Sequence, residues 1–316
     1  MTKLAAGDTG AEVDSPSIST LPPVRALLRR IFSFPVFLGA LLVAGTVAVT
    51  TWENAPIVAG TLFAEGDMWW HVAVAQRILS THHLPQTDIF SFTVFNTPWI
   101  DYEWLPDLLT ALAARWWGLQ GLAGLLILLV VVLVLLLYYY AWVQTGQVKA
   151  AAVATGFLLP ILHPFFTLRP QLLGYIFLII TLICLERFRQ GHGAALWILP
   201  GVFVLWVNTH GSFVLGFLAL ALYWAGGLVS FQCGALEATA WTQKARCRLL
   251  LVALLCALVL PLTPYGTRLA AYPFDFVFQQ QPLATALAEM QPLNFSATFG
   301  VAFLALVLLL LVGQVI

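Results

Sequence analysis

Residues 119–142 read LQGLAGLLILLVVVLVLLLYYYAW, a stretch with no charged side chain and almost wholly Leu and Val at its centre. At about 1.5 Å of rise per residue, such a helix outruns the roughly 30 Å hydrocarbon core of a bilayer. Apolar runs of the same kind recur on both sides of it, at about 34–51, 151–166, 172–185, 195–207, 213–231, 249–262 and 299–315. Of the 316 residues 61% are hydrophobic and 9% charged, against roughly a quarter charged in soluble domains. Mean hydropathy is +0.91. The fold class expected is an all-α polytopic membrane protein of about eight transmembrane helices. A cytosolic enzyme, a secreted disulfide scaffold and a nucleic-acid binder are excluded.

Between these runs lie polar segments of unequal weight. Residues 1–30 form a polar tail, rich in Asp, Ser, Thr, Gly and Pro and expected to be disordered, that ends in Arg25, Arg29 and Arg30. The remainder, 31–316, is expected to be one bundle with a long first loop at 52–118 and a second at 264–298. Net formal charge is zero, so the distribution of charge carries the information. With a cytoplasmic N-terminus and alternating spans, Lys3, Arg25, Arg29, Arg30, Lys149, Arg187, Arg189, Lys244, Arg246 and Arg248 fall inside. Only Arg77, Arg115, Arg169 and Arg268 fall outside. That bias orients the chain. The long loops and five of the six histidines then share the non-cytoplasmic face. The four cysteines show no metal-ligand spacing, and none lies in an outer segment.

Four outer segments hold groups able to do chemistry. In Asp67-Met-Trp-Trp-His71 a helix from Trp69 to Leu79 would set Asp67 and His71 one turn apart on one side. They would form an acid–base pair or ligate a metal, or Asp67 would simply cap an interfacial helix. Trp70 would stack on a sugar or anchor at the headgroups. Asp88, in Pro85-Gln-Thr-Asp88, reads first as a turn residue. Asp101 and Glu103 precede a helix expected to run to Trp117, and either cap it or join Asp67 in a carboxylate cluster. Arg169, between two apolar runs, either pairs with an outer carboxylate or binds a phosphate through its planar fork. Asn208 and His210 join two spans, and Tyr265 and Arg268 open the last outer loop.

Taken in order, Asp-x-Trp-Trp-His (67–71), Pro-x-x-Asp-x-Phe-Ser-x-Thr (85–93), Trp-Ile-Asp-Tyr-Glu-Trp-Leu (99–105), Leu-Arg-Pro-Gln (168–171), Trp-x-Asn-x-His-Gly (206–211) and Pro-Tyr-Gly (264–266) resemble bacterial membrane proteins of the GT-C glycosyltransferase type. The resemblance spans about residues 30–300. It implies a multi-helix bundle with interfacial helices in the first outer loop, in the bacterial inner membrane with its active face periplasmic. It implies transfer of a sugar from a polyprenyl-phosphate donor to a glycan, lipid or protein acceptor. Asp67 would serve as catalytic base, with Asp101 and Glu103 orienting the acceptor. Such enzymes hold the donor phosphate with basic residues, and charge and side make Arg169 and Arg268 the candidates here, with His71, Trp70, Asn208, His210 and Tyr265 around the substrates. Some members need a divalent metal, so Mg or Mn on Asp67, His71 and Glu103 is the cofactor the resemblance allows. The chain departs from the type in being short and in placing Trp-Trp-His after its acid.

Two other function classes fit the hydropathy. A transporter or flippase of an amphiphilic substrate would carry its polar groups near the membrane midplane, often in inverted repeats. Here they gather at span ends on one side. A non-catalytic scaffold of a polysaccharide or secretion assembly would show them dispersed and individually satisfied.

Overall fold

The computed structural model describes residues 29, 31–53, 66–233, 236–279 and 291–315. Apart from Arg29, the tail expected over 1–30 lies outside the described residues. The chain is mostly helical, with α1 Phe34–Glu53, α2 Gly66–Thr81, α3 Trp104–Thr145, α4 Val148–Leu162 and α5 Pro170–Arg189. A 3₁₀ segment, Gly193–Ile198, leads into α6 Leu199–Val207, followed by α7 Phe213–Gly226. A two-stranded antiparallel hairpin, β1 Phe231–Cys233 and β2 Leu236–Ala238, precedes α8 Gln243–Leu258, α9 Thr267–Gln279 and α10 Thr298–Val315.

Among the described residues three helices are long and apolar enough to cross a membrane: α1, α3 and α5. The eight crossings expected from hydropathy are thus not all matched by full-length helices among the described residues. The local chemistry explains the shortening. Pro164 sits in a 3₁₀ turn, His163–Phe165, that ends α4. A 3₁₀ segment takes up the start of the fifth apolar run and leaves only nine residues to α6. The outer segment 264–298 is likewise not simply a loop, because Thr267–Gln279 is helical. The first outer segment does contain the helices expected of it, in α2 and the first arm of α3.

The long helix α3 is two arms joined at Gly118, whose φ of 58° and ψ of −138° are not helical. Glycine alone takes that backbone without a Cβ penalty. A Cβ at Gly121 would collide with the Ala113 carbonyl, so the arms are tightly folded where they meet. Trp116 and Trp117 stand exposed beside the hinge, as tryptophans do at a membrane–water boundary.

Around α3 pack α1, α2, α4 and α5. The core of this group joins Met68 and Val72 of α2 to Leu122, Leu126, Val130, Leu133 and Val134 of α3 and Leu172 and Ile176 of α5. A second core binds the far half of α5 to α6, α7 and α8 through Leu185, Phe203, Trp206, Phe213 and Val252. Close approach in this second core depends on Gly216, where a Cβ would lie 2.7 Å from the rings of Phe203 and Trp206. Outward faces stay apolar, as at Leu128, Phe157, Leu222, Leu254 and Leu258, which suits lipid rather than water. Helix α5 belongs to both cores, and its first residues stand beside α2 and the turn after α6. That position sets the site.

Candidate functional site

Helix α2 turns an apolar stripe of Met68, Val72, Ala75 and Ile78 to the bundle, all buried. The stripe fixes the rotation of the helix and carries His71 inward with it, while Asp67 remains in the first turn, where the exposed N–H groups favour an acid. Asp67 Oδ2 lies 3.1 Å from a guanidinium nitrogen of Arg169. Arg169 is the residue before α5, held extended by the proline that follows it.

The loop 82–103 is shaped by local bonds. Asp88 Oδ1 accepts from the backbone N–H groups of Phe90 (2.8 Å) and Ser91 (2.9 Å), an Asx turn. A bridge between Thr87 and Pro98 closes the loop. Trp70 packs edge-on to Phe90 and Trp99. Asp101 Oδ1 accepts from the N–H of Glu103 at 3.2 Å, which holds Glu103 at the entry to α3.

These segments place four acids and two imidazoles together. His71 Nδ1 is 2.6 Å from Asp107 Oδ1. Its Nε2 faces Glu103 Oε2 at 3.9 Å. The other oxygen of Glu103 is 3.7 Å from His210 Nε2. His210 Nδ1 accepts the N–H of Ser212 at 3.1 Å, so its ring proton is on Nε2, toward Glu103. Burial pushes the Glu103 carboxyl up to about 8, with the neighbouring His71 opposing and Asp107 and Asp101 adding to the rise. Burial, then the charge of Asp107, likewise lifts Asp101 to about 8. Oδ2 of Asp101 is buried without a hydrogen-bond partner, a position that suits a protonated acid. His210 is pushed down to about 4 by burial and by His71.

The groups line a cleft of about 700 Å³. Its floor is His71, Asp101, Glu103 and Asp107, and Asp67 and Arg169 stand on one wall. The opposite wall is α9, where Tyr272 stacks on Tyr102 at 4.3 Å and Pro273 closes on Gly211. An apolar notch lined by Leu109, Leu125, Leu129, Leu168 and Leu173 also touches His71 and Arg169.

Of the residues singled out in the sequence, Asp67, Trp70, His71, Asp101, Glu103, Arg169 and His210 line this cleft. Three do not. Arg268 is exposed on α9 and does not line the cleft, because the first turn of that helix precedes the part that walls it. Asn208 is a structural bracket: its amide donates to the carbonyls of Val204 (2.7 Å) and Leu262 (3.0 Å) and its oxygen accepts from Trp104 Nε1 (3.0 Å). Tyr265 is mostly buried and donates to the Pro85 carbonyl at 3.1 Å, tying α9 to the first outer loop.

The metal set of Asp67, His71 and Glu103 does not fit. No group of three or more His, Cys, Asp or Glu side chains among the described residues is arranged to hold an ion. Asp67 is paired to Arg169.

Asp107 is the functional candidate that the sequence reading passed over. It stands four residues after Glu103, hence on the same side of the helix, and that spacing was the available signal. Its flanking residues, Leu105, Pro106, Leu108 and Leu109, disguised it as part of an apolar run.

No protein-family model, curated protein or solved structure matches the chain.

Proposed function

We propose that the protein is a membrane glycosyltransferase that moves a sugar from a polyprenyl-phosphate donor to an acceptor hydroxyl on the non-cytoplasmic face. It would sit in the bacterial inner membrane, with its N-terminus in the cytoplasm and eight crossings in all. The observation that supports this reading best is the pairing of Arg169 with an acid-lined cleft. A lipid-linked sugar phosphate has three parts, and each has a counterpart here. The tail suits the exposed apolar faces of the helices, the phosphate suits a guanidinium with its planar donor fork, and the sugar and acceptor suit a carboxylate-rich cleft edged by Trp70 and Trp99.

In the reaction the acceptor oxygen attacks the anomeric carbon. The bond from that carbon to the phosphate oxygen breaks, and the electron pair leaves on the phosphate, where Arg169 offsets the added charge. The acceptor proton passes to a carboxylate of the cleft. The GT-C resemblance gives that part to Asp67. Among the described residues no side-chain group is arranged to hold a metal, and the transfer balances without one.

The test is to incubate the purified full chain in nanodiscs with a panel of polyprenyl-phosphate sugars and follow donor consumption. Wild-type protein should release polyprenyl phosphate, and Arg169→Gln should not. Absence of release from every donor tried, with a folded protein, would count decisively against the reading. A transporter would instead move labelled lipid between leaflets without cleaving it.

A further inference from the structure

We propose that Glu103, backed by a His71–Asp107 dyad, is the group that takes the proton from the acceptor, and that Asp67 serves instead to occupy Arg169 until a phosphate arrives. This rests on the glycosyl-transfer reading above and refines which side chain does its acid–base work.

The geometry separates the two acids. Asp67 has 60% of its side chain exposed and is bonded to a guanidinium, so its lone pairs are already engaged and well solvated. Glu103 has 14% exposed and faces no cation at bonding distance; its carboxylate lies between two imidazoles. A base that must draw a proton from a hydroxyl works best in the second kind of place, where the charged form is poorly solvated and its proton affinity rises.

The imidazoles on either side are not equivalent. His210 presents an N–H to Oε1, because its Nδ1 is occupied by the Ser212 amide. His71 has its Nδ1 against Asp107 at 2.6 Å, which leaves the bare Nε2 toward Oε2. One neighbour therefore holds the carboxyl group in place and the other can receive a proton from it. The remaining ionisable groups facing this chain are Asp101 from the loop, Tyr102 and Tyr272 at the mouth, and Asp67 and Arg169 on the wall.

The transfer balances as follows. In the reacting form Glu103 is the bare carboxylate, held by the His210 N–H at one oxygen and facing His71 at the other. As the acceptor oxygen bonds to the anomeric carbon, its proton moves to Glu103. From Glu103 the proton can pass on to His71 Nε2, where Asp107 balances the imidazolium formed. The gaps of 3.7 and 3.9 Å are longer than hydrogen bonds, as is common before substrate tightens such a site. Asp107 acts only through His71 and is a positioning residue.

Two measurements test this, one of them independent of any transfer. The first is ¹⁵N NMR of histidine-labelled full chain in nanodiscs, with His71→Asn used to assign the signal. His71 should be protonated at Nδ1, and Asp107→Asn should move that proton to Nε2. A proton on Nε2 in the wild type, or no change in the variant, overturns the dyad whether or not a donor is ever found. The second is turnover. Glu103→Gln should lose on the order of 10²-fold or more in kcat with donor KM unchanged. Asp67→Asn should hold kcat within a few-fold and lower donor KM. Asp107→Asn should lower kcat with donor KM unchanged, and Asp107→Glu, which keeps a carboxylate for Nδ1, should restore most of it, a rescue that loss of packing alone would not show. Near-normal kcat in Glu103→Gln, or abolished kcat in Asp67→Asn, returns the role to Asp67. If no donor is cleaved at all, the glycosyl-transfer reading falls by itself, and the NMR result still decides the dyad.

Discussion

Asp67 in the first turn of α2 and Arg169 at the entry to α5 form an ion pair of 3.1 Å on the wall of the cleft. The pair is half in water: 60% of the Asp67 side chain is exposed against 19% for Arg169. An ion pair of that kind adds little to stability, at most about 1 kcal/mol. Asp67→Asn should therefore leave the unfolding temperature in detergent within a degree or two, while Arg169→Gln removes the cation that an anionic donor needs. Measured side by side, the first variant should bind a polyprenyl-phosphate sugar at least as well as wild type, and the second should bind it at least tenfold more weakly.

The two buried acids predict how stability follows pH. Asp101 and Glu103 titrate at about 8 in the folded protein, against ordinary values of 3.8 and 4.5. Their folded values are raised, so the folded state holds more protons than the unfolded one between about 4 and 8, and stability falls as pH rises through that range. His210 works in the opposite sense. Its folded value of about 4 lies below its ordinary 6.5, so its contribution is present above 6.5 and is lost as pH falls toward 4. Between 6.5 and 8 only the carboxyl effect remains. Thermal unfolding in detergent should shift downward over that window, and Asp101→Asn should flatten the slope. An unfolding temperature that climbs from pH 6.5 to 8 would contradict the burial of these acids.

Gly118 predicts a steric effect at a distance. Its φ of 58° with ψ of −138° lies in a region essentially reserved for glycine and costs a residue with a Cβ about 1–3 kcal/mol. Gly118→Ala should lower thermal stability by that amount and disturb the approach of Glu103 and Asp107 to His71. Gly124→Ala, a helical glycine on the same helix with open space around it, should do neither. Circular dichroism melts and the His71 ¹⁵N signal would read both effects.

Much of the helical layout was legible because hydropathy alone sets it: α1, the second arm of α3 and α5 fall where the apolar runs do. The one-turn spacing of Asp67 and His71 also survives, since a helix keeps its periodicity wherever it packs. Which arginine would reach the carboxylates was not legible. Arg169 and Arg268 have the same charge and the same expected side, and only the packing of α5 against α2 separates them. Asn208 and Tyr265 read as polar groups in a conspicuous motif, but their partners are backbone carbonyls far along the chain, Leu262 and Pro85, which no local pattern reveals. Runs such as 195–207 are already too short for a full span in the sequence, so broken helices were expected there, but the 3₁₀ turns that replace their ends were not legible.

The hinge at Gly118 has no functional group, yet it decides where two carboxylates stand. A search for important positions that weighs only reactive side chains would pass it by, and a screen that scores lost turnover would count it among them. In a chain whose outer groups are carried on arms of its own spans, the absence of a side chain is as much a part of the chemistry as any acid.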